Sequence, residues 1–264
     1  MFSVLDMFTI GVGPSSSHTV GPMCAAQAFA SSLEESGAVS RVGRIRVVLY
    51  GSLSLTGLGH GTDRAILAGL EGNVPATVDT DYLLSVRERC AHDGTIHVNG
   101  TNAIAYDDDG DMVFDRWKRL APHPNGMRFQ AFDAQGNIID EQVWYSIGGG
   151  FIRRGRIDDA LISNHEQTPA SSQSPEDSGN DETAEYGDGV PYPFVSCDGL
   201  IDLCRKHHLS IADVVWANET ARRSPQEVRD RLTRIWNVMS HCIDAGCALS
   251  LIHISEPTRL RCIS

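Results

Sequence analysis

Apolar residues in the first half of the chain fall into short periodic runs. Met23, Ala26, Phe29, Ala30 and Leu33 recur at helical spacing behind Gly21, and Gly37 is placed to end that helix. Arg44–Tyr50 alternates, with Ile45, Val47 and Leu49 on one face, and predicts a strand. Thr62 and Asp63 read as the cap of a helix over 65–70. Strands are expected over 103–106, 112–114, 127–132 and 138–145. The last two are joined by a turn at Asp133-Ala134-Gln135-Gly136-Asn137.

Beyond residue 190 the period is helical throughout. Ser210 with Asp213 forms a capping-box pattern, and Ser224-Pro225-Gln226-Glu227 offers an N-cap, a proline at the first position and an acid at the third. The helix behind it is expected to run to about Asp244, with Val228, Leu232, Ile235 and Met239 on one face and Gly246 as its end. These apolar stripes call for a partner surface. The fold class expected is α+β: an N-terminal domain with an antiparallel or mixed sheet over 1–153, then an incomplete all-α segment over 191–248.

Charge separates these regions. The net charge is −12, but residues 157–190 hold nine acids and no Lys or Arg, so the remainder is near neutral. That polar stretch is expected to be a disordered linker over 154–190. Without a basic field, nucleic acid is not an expected partner. No apolar run has membrane-spanning length, and the N-terminus lacks a basic signal region, so a cytoplasmic address is expected. Seven cysteines with no CxxC pair read as free thiols, not as a disulfide framework.

Candidate chemistry lies in three polar loops. Ser15, Ser16, Ser17, His18 and Thr19 stand just before a helix, where unpaired amides and the helix dipole favour a carboxylate or phosphate. A glycine-rich stretch after the first strand presents His60 and Thr62, and lacks the lysine of a nucleotide-binding loop. His123 and Asn125 flank a proline before a later strand. Three imidazoles could form a zinc set, but their spacing matches no short ligand pair. Asp107 to Asp111 misplaces the glycine of a calcium loop and reads as a hairpin tip, while His207 and His208 read as structural at a helix end.

The ordered motifs GPSSSHTVGP (13–22), YGSLSLTGLGHGTD (50–63), HPNGM (123–127), WYSIGGGF (144–151) and VPYPF (190–194) resemble the N-terminal beta domain of bacterial iron–sulfur L-serine dehydratases. The resemblance covers 1–153 and resumes at 190–247. It implies L-serine as substrate, and pyruvate and ammonia as products, by an elimination without pyridoxal phosphate. It also implies a [4Fe–4S] cluster whose open iron takes the serine hydroxyl and carboxylate. His60 is the expected base or its partner, Ser15, Ser16, Ser17, His18 and Thr19 the carboxylate and cleft contacts, and Thr62, His123 and Asn125 positioning groups. The cluster cysteines belong to a C-terminal alpha domain, and none of the seven cysteines here matches one, so no metal ligand is expected in this chain. Residues 249–264 resemble translated adapter sequence. The chain therefore reads as a truncated, inactive fragment of a single-chain enzyme that lacks its alpha domain, and such enzymes often dimerise. The beta domain also resembles the allosteric substrate-binding domain of phosphoglycerate dehydrogenase, so a regulatory amino-acid-binding module, or the beta chain of a two-subunit dehydratase, are the alternatives.

Overall fold

In the computed structural model, which describes residues 3–164 and 189–248, the alternating segment Arg44–Tyr50 is a strand (β1) inside a seven-stranded mixed sheet. Ahead of it, α1 (Gly21–Glu35) buries Met23, Ala26, Phe29, Ala30 and Leu33, and Gly37 follows its end at φ +67°. After β1 come two helices, α2 (Gly51–Thr56) and α3 (Thr62–Leu70), then α4 (Thr80–Asp93). The hairpin β2 (Thr95–Val98) and β3 (Asn102–Ala105) leads through a four-residue helical turn, α5 (Asp108–Asp111), to β4 (Met112–Asp115). Next are β5 (Lys118–Leu120), β6 (Gly126–Phe132), β7 (Ile138–Gly148), β8 (Phe151–Arg154) and β9 (Leu161–Ser163). The sheet order is β2-β3-β1-β6-β7-β8, with β4 also on β1, and β5 pairs separately with β9. The fold is α+β, as the periodicity predicts.

One sheet face carries the larger core. Phe29 of α1 stacks on Phe129 of β6 with ring centroids 5.2 Å apart, and Val47, Leu49, Leu67 and Val98 close around them. On the other face Val48, Tyr50, Leu120, Val143 and Tyr145 form a second cluster. Helices α1 and α3 pack closely: a Cβ on Gly69 would meet the Met23 carbonyl and lie 2.9 Å from Ala26 Cβ. Because α1 and α3 both start near the candidate loops, this packing fixes where those loops sit.

Several local expectations need correcting. Residues 107–111 are no hairpin tip, because β3 and β4 both run parallel to β1 and α5 only steps the chain between them. Buried Asp111 accepts from Arg44 and from the Asp107 amide, which explains the acidic run there. Thr62 does not cap α3. That role falls to Gly61 at φ 64°, with no side-chain cap. The stretch after β1 is mostly helical instead of a glycine loop. The last helix continues through Gly246 to Ala248.

The chain divides into two compact units, Gly11–Ser171 and Met1–Ile10 with Ser172–Ser264. In the second, α6 (Cys197–His207), α7 (Ile211–Thr220) and α8 (Pro225–Ala248) follow one another. The capping box of Ser210 and Asp213 is formed, and Ser224 accepts from Glu227 N at 3.2 Å. Buried Glu219 of α7 accepts from Ser3 Oγ and Val4 N, both at 2.8 Å, and pairs with Arg223. His208 ends α6 in the left-handed region, and His207 meets Tyr192 edge-on. Leu232, Trp236, Met239 and Ile243 of α8 are exposed. A disordered linker is expected over 154–190, but its described part is ordered: Leu161–Ser163 forms β9 on β5, and Asp159 accepts from Tyr145 Oη at 2.5 Å. The rest of that stretch, 165–188, and the tail over 249–264 lie outside the described residues. Among the described residues no helix is long and apolar enough to cross a membrane.

Candidate functional site

The polar run at 15–19 folds as one wide helical turn, Ser16–Val20, that leads directly into α1. Ser15 caps it: its Oγ accepts from His18 N at 3.1 Å. Ser16 is exposed, and Ser17 Oγ lies 2.8 Å from His18 Nδ1. Thr19 is buried. Its hydroxyl accepts from Ser15 N and donates to the His60 carbonyl at 2.8 Å, so it joins two loops. Thr62 is equally buried and donates to the His18 carbonyl, tying the same loops a second time.

These bonds set the rings of His18 and His60 4.9 Å apart at 40°. His60 Nδ1 lies 2.9 Å from the Thr56 carbonyl. A carbonyl can only accept, so the neutral ring carries its proton on Nδ1 and leaves the Nε2 lone pair open. Burial, and then the neighbouring His60, hold the pKa of His18 below the ordinary histidine value. A cleft of about 280 Å3 opens beside His60, lined by Pro14, Thr19, Leu58, Arg64 and Leu83 among others.

The third loop is tied to the first two through backbone. Ser52 N donates to the Pro124 carbonyl at 2.9 Å. His123 Nδ1 accepts from Asn125 N at 3.1 Å, and its ring tilts toward Tyr145, 6.1 Å away. Burial, with Arg153 nearby, keeps the pKa of His123 low as well. Asn125 and Ser146 exchange two bonds: Ser146 N donates to Asn125 O and Asn125 Nδ2 to Ser146 O. The structure thus joins the loops of His18, His60 and Thr62 directly. It links the His123–Asn125 loop to them through Ser52, and turns the His123 ring toward Tyr145.

The serine dehydratase beta chain family model matches residues 3–156. The chain belongs to that family. It is 41% identical over 244 residues to an L-serine dehydratase of Streptomyces coelicolor, covering 92% of this chain and 49% of that protein. L-serine dehydratase 1 of Escherichia coli is 38% identical over 250 residues, and an L-serine dehydratase of Haemophilus influenzae 34% over 247, each aligned across 93% of this chain and 49% of its own length. The chain spans about half the length of the curated relatives it matches.

Against that family background, three residues emerge that the motifs do not nominate by themselves. Ser52 touches two loops. Ser146 is fully buried with its Oγ unpartnered among the described residues. Arg64 lines the cleft. All three sit within or next to the quoted motifs, so proximity was the available signal. A metal-ligand set is a separate matter. Among the described residues no three His, Cys, Asp or Glu side chains converge on one point, and the six described cysteines are free. The described residues do not fit an iron–sulfur cluster.

Proposed function

We propose that this chain supplies the beta-domain wall of an L-serine ammonia-lyase active site, the enzyme class that releases pyruvate and ammonia from L-serine. The observation that carries it is the contact of His60 Nδ1 with the Thr56 carbonyl at 2.9 Å. A base must present a lone pair near neutral pH, and the Thr56 carbonyl leaves Nε2 of His60 as that lone pair, at the edge of the cleft. The relatives' printed names supply the substrate class.

In this reading His60 removes the α-proton of L-serine. His18 stands beside it as a neutral ring, which avoids a second cation next to the imidazolium that forms. Ser15, Ser16 and Ser17, in the turn that leads into α1, form the carboxylate end of the site, while buried Thr19, expected as a further contact, instead holds that turn to the His60 loop. Thr62, His123 and Asn125 position the loops. The resemblance implies a [4Fe–4S] cluster for departure of the β-hydroxide. The described residues do not fit one, so in this reading its ligands come from outside them. An alpha domain, in the same chain or a partner chain, and a second copy are the partners of this reading, and its compartment is the cytoplasm.

The test is turnover. The intact enzyme that contains this chain should convert L-serine to pyruvate, read through a coupled dehydrogenase, and the 264-residue chain alone should not. His60→Ala should abolish turnover without changing cluster absorbance. Serine-dependent pyruvate from the isolated chain, or near-normal turnover by His60→Ala, overturns the reading.

A further inference from the structure

The turn between β1 and α2 concentrates contacts on one hydroxyl residue. Gly51 takes φ +56°, which sets Ser52 at the start of α2. Ser52 Oγ then lies 3.0 Å from His18 Nε2, while Ser52 N donates to the Pro124 carbonyl at 2.9 Å. Glycine at 51 makes that approach possible, since a Cβ there would run into the Pro124 carbonyl. On the far side of the imidazole Ser17 Oγ holds Nδ1 at 2.8 Å, and Ser15 Oγ stands 3.4 Å behind it.

A neutral imidazole has one N–H and one lone pair, and a hydroxyl serves either. Held between two hydroxyls, His18 is bonded at both nitrogens in either tautomer. Its ring plane is fixed and neither nitrogen is open. His60 is the opposite case, with one nitrogen on a carbonyl and the other without a partner among the described residues. The two rings, side by side, are built for different work.

We propose that Ser52 is a positioning residue: its hydroxyl clamps His18 from the Nε2 side while its amide anchors the 123–125 loop, so that one residue sets the spacing of all three loops. The clamp stands on geometry alone. Its consequence for turnover rests on the lyase reading above.

Side-chain nitrogen spectra of 15N-histidine-labelled full chain test the clamp. The wild type should show a His18 ring N–H that exchanges slowly with water. In Ser52→Ala that signal should be lost to exchange, while Ser52→Thr restores the wild-type pattern and His60 barely moves. Unchanged His18 signals in a natively folded Ser52→Ala overturn the proposal. Should Ser52→Ala fail to fold, the near-isosteric Ser52→Cys, with its weaker hydrogen bond, carries the same comparison and the same refutation. In the intact enzyme Ser52→Ala should lower kcat/KM for L-serine by about 10²-fold, the scale of a misplaced site group, and Ser52→Thr should recover most of it. Full activity in Ser52→Ala overturns the positioning role. A wild-type enzyme inert toward L-serine with an intact His18 clamp would instead overturn the lyase reading alone.

Discussion

Replacing Gly21 with alanine puts a methyl group where the turn bearing His18 meets β7. The backbone accepts it, because Gly21 sits at φ −58°, ψ −50°, inside the right-handed helical region. Alanine there should gain up to about 1 kcal/mol of helix propensity. Packing acts against it. The new Cβ would collide with Ser146 Oγ and lie 2.8 Å from Ser146 Cβ. Ser146 is fully buried and bonded in both directions to Asn125, so it cannot step aside without moving the third loop. Overpacking of this kind costs roughly 1–3 kcal/mol, so the net loss should be about 1–2 kcal/mol. For a unit of this size each kcal/mol moves Tm by about 2–4 °C, giving a fall of about 2–8 °C in a calorimetric melt. Adding Ser146→Gly removes both colliding atoms and should restore most of it, with a coupling of about 1–2 kcal/mol in the double-mutant cycle. Ser146→Ala alone should be neutral or slightly stabilising, because the deleted hydroxyl has no partner among the described residues. Simple addition of the two single losses would refute the interlock.

Other predictions follow from the ionic and imidazole groups. Arg87 joins buried Asp63 to Asp108, so Arg87→Ala should cost about 2–3 kcal/mol in urea denaturation, below the full buried-pair value because the guanidinium is partly wet. Arg156→Ala, on a fully exposed pair with Asp158, should leave the midpoint where it is. His18 and His123 have folded pKa values below their unfolded ones, so the unfolded chain binds more protons just below pH 6.5. Stability should therefore decline as pH falls from about 6.5 through those lowered values. The His18→Gln, His123→Gln double variant should flatten that slope, and an unchanged slope would contradict the assignment. In the second unit, Glu219→Ala should free the N-terminal segment and speed chymotryptic cleavage at Leu5, which is buried in the wild type.

Much of this could be read from the residues, where burial follows a simple period. The alternation in β1 and the spacing in α1 were legible because each has one strongly apolar face. Helix α4 was not, since Leu83, Val86 and Cys90 are separated by Arg87, Glu88 and Arg89, and its place is set by ion pairs to Asp63 and Glu71 that lie far off in sequence. Helix α2 reads as a loop because glycine, serine and threonine dominate it, and tertiary packing overrides their propensity. The aspartates at 107–111 look like a turn tip until Arg44, 67 residues away, shows what Asp111 pairs with. Within the site the imidazoles and hydroxyls were visible as motifs. The functions of Thr19 and Thr62 as ties between loops were not, for a hydroxyl's partner is a property of the fold.

The first ten residues belong with the helices that follow Ser172, while Gly11–Ser171 forms a unit of its own between them. During synthesis at about 5–20 residues per second, this segment therefore waits roughly 10–40 s before Glu219, some 215 residues on, is made. In that interval Leu5, buried in the finished fold, and the Ser3 and Val4 groups that bond Glu219 have nothing to dock on, so nascent chains stalled within the intervening unit are where a chaperone should be found on this segment.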